Sequence, residues 1–353
     1  MNRLFNLRGT LDGRTRLILE IIGILLLILV WYLITMGEDP IVRSGILPRP
    51  WAVLTSYSEL YFDNDLFKNL CRSLGLNLAG YTESLAIAVP LGFLIGLFPL
   101  FRGTLQKQVD AFRFVPLTAV TGLFIIWFGL GTSMKVHFLA FGILIYLLPV
   151  VVQRIDDVED VYTKTVYTLG ATNWQTIKSV YIPATISKLS DDIRVLTAIS
   201  WTYIIIAESL GNEGGIGALI WRVGQRQGRV DKVFALLVII VIIGFLQDKY
   251  FTYLDRQFFP YKYQTKDGYK KDAPDASVST AIWSFASNVL VYAGLGIYIL
   301  LFINQFTQTL VLGNEGEPIL SYLFGETVRV IHFYVFLALV YKGYWLLKNK
   351  GVI

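Results

Sequence analysis

Side chains able to do covalent or metal chemistry are scarce in this chain. Its 353 residues include two histidines, His137 and His332, and one cysteine, Cys71. A single cysteine rules out an intrachain disulfide. Two histidines give a zinc site or a general acid–base pair little to work with. There is no GxxxxGK[ST] phosphate loop, so any energy from ATP must come from elsewhere. Gly211-Asn-Glu-Gly-Gly-Ile-Gly217 is glycine-rich but follows an apolar block; it reads as a flexible loop, not a phosphate cradle. The expectation is no catalytic residue, no metal and no cofactor on this chain. What remains is polar side chains set inside apolar blocks, namely Trp127, Ser200, Trp201, Thr202 and Glu208. Such groups are costly in hydrocarbon and face protein or a water-filled cavity. Ser200, Trp201 and Thr202 are the expected lining of a solute path, although a helix cannot turn all three to one face. Trp127 fits either a path or an interfacial anchor. Glu208 fits a gate or a hydrated structural role.

The elements that hold these residues are set by composition. Hydrophobic residues make up 54% and charged residues 16% of the chain, against about a quarter charged in soluble domains. The apolar residues come in blocks near the roughly 20 residues that a spanning helix needs. Eight are expected: 17–36, 80–101, 114–130, 135–152, 193–210, 233–253, 281–302 and 328–347. All must be helical, because an open backbone in lipid leaves its polar groups unsatisfied. The fold class is therefore an all-α polytopic membrane protein. The first block follows four arginines, yet no small-residue cleavage site follows it, so it reads as a retained helix. Placing both termini in the cytoplasm puts about two thirds of the 31 Lys and Arg residues inside, as the positive-inside rule prefers. Arg222, Arg226, Arg229 and Lys232 violate it locally. They fit a solvated loop or a surface for a partner or anionic solute.

One segment breaks the apolar pattern, LGATNWQTIKSVYIP at 169–183. Asp156, Asp157, Glu159 and Asp160 precede it and suit a helix N-terminus. Gly170 can supply a left-handed turn. Thr172 and Gln175 have capping-box spacing, and a short helix over 173–181 would place Trp174, Ile177 and Tyr181 on one face. Pro183 would stop or redirect it. The resulting helix–turn–helix is either an amphipathic shield or a protrusion that docks into another subunit.

The spacing here resembles the cytoplasmic loop signature of importer-type ABC transporter permeases, which runs Glu-Ala-Ala, three residues, Gly, nine residues, Ile, one residue, Leu-Pro. Gly170 is followed by nine residues and then Val180-Tyr181-Ile182-Pro183. Lys164-Thr165-Val166 stands where the family has Glu-Ala-Ala. Leu47-Pro48, Ser73-Leu74, Gly80-Tyr81, Trp127-Phe-Gly-Leu-Gly131 with Lys135, Leu169-Gly-Ala171, and Ala207-Glu208 before Gly214-Gly-Ile-Gly217 resemble the nitrate/sulfonate/taurine branch.

The resemblance covers about 45–263. It implies a six-helix importer permease core plus two extra C-terminal transmembrane helices. The expected layout is 1–44 for the N-terminal segment and first helix, 45–263 for the core with its coupling loop near 153–190, 264–279 for a cytoplasmic linker, and 280–353 for a C-terminal hairpin. That hairpin reads as a lipid-facing brace or as a docking site for another subunit.

The resemblance also implies partners: a cytoplasmic ABC ATPase dimer carrying ATP and Mg, a second permease copy or paralogue, and a periplasmic or lipid-anchored solute-binding protein. Membrane lipid surrounds the chain, and no nucleic acid is expected. Docking to the ATPase falls to the 163–183 loop, through Gly170, Ala171, Thr172, Asn173, Trp174, Gln175, Ile177 and Lys178. The implied solute is a small anion or organic molecule such as nitrate, bicarbonate, a sulfonate or a pyrimidine precursor. The setting is the cell inner membrane. The competing class is an ion-gradient-driven secondary transporter, which favours paired acids deep in the spans and an inverted repeat; neither is evident.

Overall fold

The computed structural model describes residues 13–37, 39–211, 213–263, 278–308, 311–312 and 316–349. Arg3 and Arg8, most of the 264–279 linker and Lys350 lie outside the described residues. Helix α1 (Gly13–Thr35) is strongly apolar from Leu17 onward, and none of its apolar window is buried against the rest of the chain. It is anchored at its end, where the Trp31 indole donates to the Pro48 carbonyl at 2.9 Å. Helix α2 (Pro50–Phe62) starts on a proline, which has no N–H to leave unsatisfied.

Helix α3 (Leu66–Leu97) starts at Leu66, not near Gly80. The reason is tertiary. Asn69, Ser73 and Asn77 are polar but recur at four-residue spacing, so they share one helix face, and all three are buried against protein. The third expected span is also revised. Helices α4 (Pro99–Phe112) and α5 (Leu117–Phe128) meet at 105°. The break lies at Pro116, which caps α5, whereas Gly122 sits inside α5 without ending it. At 1.5 Å per residue, α5 spans about 18 Å, short of a full crossing.

Helix α6 (Thr132–Asp156) packs along α3 at close range. A Cβ built on Gly80, Gly92 or Gly96 would come within 2.8, 2.5 and 2.7 Å of Leu139, Val151 and Ile155. The glycines thus exist to let two backbones approach, as small-residue spacing suggests. Asp156 and Asp157 end α6 and do not open the next helix. Acids oppose the dipole at that end, and cations offset them: Arg102 meets Asp156 at 2.5 Å and Arg154 meets Asp157 at 2.7 Å.

Helices α7 (Asp160–Thr168) and α8 (Asn173–Thr176) follow, and α8 runs through a π-turn (Ile177–Tyr181) into α9 (Ile182–Ser209). The chain therefore does not stop at Pro183. In an α-helix Pro183 would orphan one carbonyl; the wider turn, with Ile182 N–H bonded to the Ile177 carbonyl, absorbs that defect in advance. Helices α10 (Ile216–Trp221) and α11 (Val230–Phe258) complete the core.

Helix α12 (Val278–Thr307), a two-residue antiparallel ladder of Val311–Leu312 with Glu317–Pro318, α13 (Ile319–Phe324) and α14 (Val328–Asn349) make the C-terminal hairpin. Its tip rests on the N-terminal half of α3. Gly75 faces Thr327 and Phe324, the Tyr334 hydroxyl lies 2.9 Å from Thr82, and Lys68 sits 3.7 Å above the Tyr322 ring. Among the described residues the fold is all-helical apart from that ladder. Among the described residues five helices are long and apolar enough to cross a membrane, or six with the α4–α5 pair.

Candidate functional site

Two regions at opposite ends of the bundle concentrate polar structure. At the 157–181 end, α7 closes on Gly170, whose φ of +83° is the left-handed conformation that glycine adopts without strain. The Ala171 N–H returns to the Val166 carbonyl at 3.0 Å, which satisfies an end carbonyl of α7. The Thr172 N–H donates to Gln175 Oε1 at 2.8 Å and the Gln175 N–H donates to Thr172 Oγ1 at 3.3 Å, the expected reciprocal cap. Thr176 is buried, and Ile177 and Tyr181 are half-buried. Trp174 departs from their face and stands 69% exposed, beside exposed Val161, Tyr162, Tyr167 and Leu169. The element is held by its own caps and leaves several large apolar side chains exposed.

At the 211–217 end, Glu208 is fully buried. The Ser73 hydroxyl donates to one carboxylate oxygen at 2.6 Å, and the Gly217 N–H donates to the other at 2.8 Å. Ser73 Oγ also accepts from the Ile216 N–H at 2.8 Å, and Asn69 Oδ1 accepts from the Gly215 N–H at 2.8 Å. The start of α10 is thereby capped by side chains of α3 and α9. The glycine-rich loop is a cradle after all, for the chain's own carboxylate. A Cβ on Gly215, where φ is +107°, would fall 2.2 Å from Glu208 Cδ. Beside the cradle, Lys135 is buried and pairs with Glu213 at 3.4 Å, and Thr132 donates to Glu213 at 2.9 Å.

Residues 88–259 match the family model described as the inner membrane component of binding-protein-dependent transport systems. Both ends of the site lie within or beside that span. The chain carries an importer-type ABC permease domain. It is 28% identical over 239 residues to a provisionally named aliphatic sulfonates transport permease, SsuC, of Bacillus subtilis, covering 67% of this chain and 84% of that protein. It is 25% identical over 240 residues to the taurine transport system permease protein TauC of Escherichia coli, covering 67% and 86%. Among solved structures, a chain of the MetNI methionine ABC transporter superposes with TM-score 0.48 at 18% identity, covering 63% of this chain and 99% of that one. A permease of this kind is a non-catalytic membrane subunit. The family model ends before α12, so the hairpin is additional to it.

Within this permease the expected path residues do not come together. Ser200 is buried and bonded to Asn77 at 2.9 Å. Trp201 is buried and donates to Gln247 at 2.9 Å. Glu208 is buried and clasped by Ser73 and Gly217. These three tie helices together and line no open surface. Thr202 and Trp127 are exposed, on α9 and α5 respectively. An open cleft of about 450 Å³ lies instead between α4, α6 and α9, lined by Gln106, Arg113, Tyr146, Gln153 and Leu196 among others.

Sequence reasoning singled out Ser73 but missed Asn69 and Asn77 as partners. The four-residue spacing of the three was the available signal. It also left the basic cluster at 222–232 open. Arg229 and Lys232 both hold Glu59, at 3.0 and 3.1 Å, while Arg222 and Arg226 make no ion pair among the described residues. Glu83 and His137 form one more polar pair between α3 and α6, at 2.7 Å.

Proposed function

We propose that this permease forms the solute path of an ATP-driven importer together with a second copy or paralogue, and that its 163–183 loop docks a cytoplasmic ATPase. The observation that carries the reading is the helix–turn–helix at 157–181. Its turn and second helix are capped by their own groups, yet it leaves Trp174, Tyr162, Tyr167 and Leu169 exposed. Orientation follows: the 157–181 end is cytoplasmic, the 211–217 end is outside, and both termini are cytoplasmic. Solute reaches the outer end from a periplasmic or lipid-anchored binding protein. Names of the relatives point to a sulfonate, with taurine the first compound to try. The cleft beside Tyr146 and Gln153, together with the exposed Thr202 and Trp127, supports a path between α4, α5, α6 and α9.

The test is Gly170→Asp. A side chain at φ +83° strains the turn, and a charge enters the docking face. ATPase co-purification and solute-stimulated ATP hydrolysis should fall at least about tenfold, about 1.4 kcal/mol of docking free energy, while the permease still reaches the membrane. Intact assembly and transport in Gly170→Asp would overturn the docking assignment. Glu83 and His137 are what an ion-driven carrier would use. His137→Gln in proteoliposomes decides that alternative: ATP-driven uptake should continue, insensitive to an uncoupler.

A further inference from the structure

The C-terminal hairpin does more than lean on α3. Its tip closes a pocket of about 220 Å³ whose other walls are α3, the start of α6 and the 211–217 loop. Gly75 is what lets the tip seat, since a Cβ there would overlap the Thr327 side chain. The charged residues lining the pocket are Arg72, Lys135, Glu213 and Glu326. Two of them are already paired: Lys135 and Glu213 hold each other, and Thr132 braces the carboxylate.

The other two are not. Arg72 donates to the Glu213 backbone carbonyl but makes no ion pair among the described residues, and its buried Nε has no partner. Glu326, exposed on the hairpin tip, makes neither an ion pair nor a hydrogen bond among the described residues. A cation and an anion thus line one cavity without meeting. The cavity offers equal numbers of positive and negative groups, so neither a bare anion nor a bare cation would balance it. A small molecule bearing both charges would. It would bring an anionic head to the Arg72 guanidinium, whose fork matches such groups, and an ammonium to Glu326. Phe324 supplies an apolar wall for the short linker between them.

We propose that this pocket, shared by the permease and its C-terminal hairpin, binds a small zwitterion carrying an ammonium and a sulfonate, carboxylate or phosphate group. The bound molecule clamps the hairpin tip onto the 211–217 loop. The inference stands on the pocket alone, so it survives if the transported solute is something else. Two sources share the chemistry, a soluble amino acid analogue and a phosphatidylethanolamine headgroup.

The experiment is a thermal melt of the purified full-length chain with taurine, with isethionate, which keeps the sulfonate but replaces the ammonium with a hydroxyl, and in vesicles of phosphatidylethanolamine or phosphatidylglycerol. Glu326→Gln is the variant, because an exposed side chain without partners can change without unfolding the tip. The expected result is protection by taurine, at least about tenfold weaker for isethionate and for Glu326→Gln with taurine. Protection by phosphatidylethanolamine over phosphatidylglycerol, lost in Glu326→Gln, also upholds the zwitterion site and assigns its source to the membrane. Equal effects of taurine and isethionate with no lipid preference, no effect of either zwitterion, or an indifferent Glu326→Gln overturns it.

Discussion

Glu208 is fully buried, so the hydrogen bonds it accepts from Ser73 and Gly217 help offset the cost of burying a carboxylate. Glu208→Gln keeps the shape but sets an amide against the Gly217 N–H or the Ser73 hydroxyl. The expected loss is about 1–3 kcal/mol, the cost of leaving a buried donor unmet. Gly215→Ala should be at least as damaging, since positive φ alone costs roughly 1–3 kcal/mol in a non-glycine residue, before any clash with the carboxylate. Melting temperature in detergent measures both, and a neutral Gly215→Ala would remove the cradle from the account. Glu59 gives a pH-dependent case. Hydrogen bonds from Arg229 and then Lys232 hold its carboxyl below the usual carboxylate range. A depressed folded pKa stabilises above the unfolded value, about 4.3, and that stability is lost as pH falls through the folded pKa. The difference in melting temperature between wild type and Glu59→Gln should therefore be present at neutral pH and fade as the pH falls below the unfolded value. It should be small, because the pair is exposed and screened.

At the scale of elements, the α3–α6 contact is set by glycine and the coupling loop by its caps. Gly92→Ala would push a methyl to 2.5 Å from Val151. Overpacking of this kind costs about 1–3 kcal/mol. Gly103→Ala in α4, with nothing within 4 Å, should instead stabilise by about 0.5–1 kcal/mol through helix propensity. Opposite signs in the two melts would separate close approach from propensity; matching signs would refute the packing role. The Gly170 turn and the Thr172/Gln175 cap were readable in advance, because each depends on residues a few positions apart. The 105° break between α4 and α5 was not readable in that way, because the angle depends on what the two pieces pack against.

For the whole molecule, the hairpin is the main departure from the permease domain. Ending the chain before Val278 should leave the core folded and able to co-purify with an ATPase. It should also lower the melting temperature, because Gly75, Thr82 and Lys68 lose their partners on the hairpin. An unchanged melt would mean that the hairpin merely lies alongside.

Several properties were determined by sequence alone. The scarcity of histidine and cysteine left a zinc site or an acid–base pair little to work with, and the apolar blocks required helices in a membrane. The capped break at Gly170–Pro183 marked the surface proposed to meet a partner. These follow from composition and short-range spacing, which no folding partner can alter. Only the tertiary structure decided where polar groups in the spans point. Ser200 turned to Asn77, Trp201 to Gln247 and Glu208 to Ser73, across 123, 46 and 135 positions of chain. A buried polar group must find its complement wherever the fold places one, and that choice is not local.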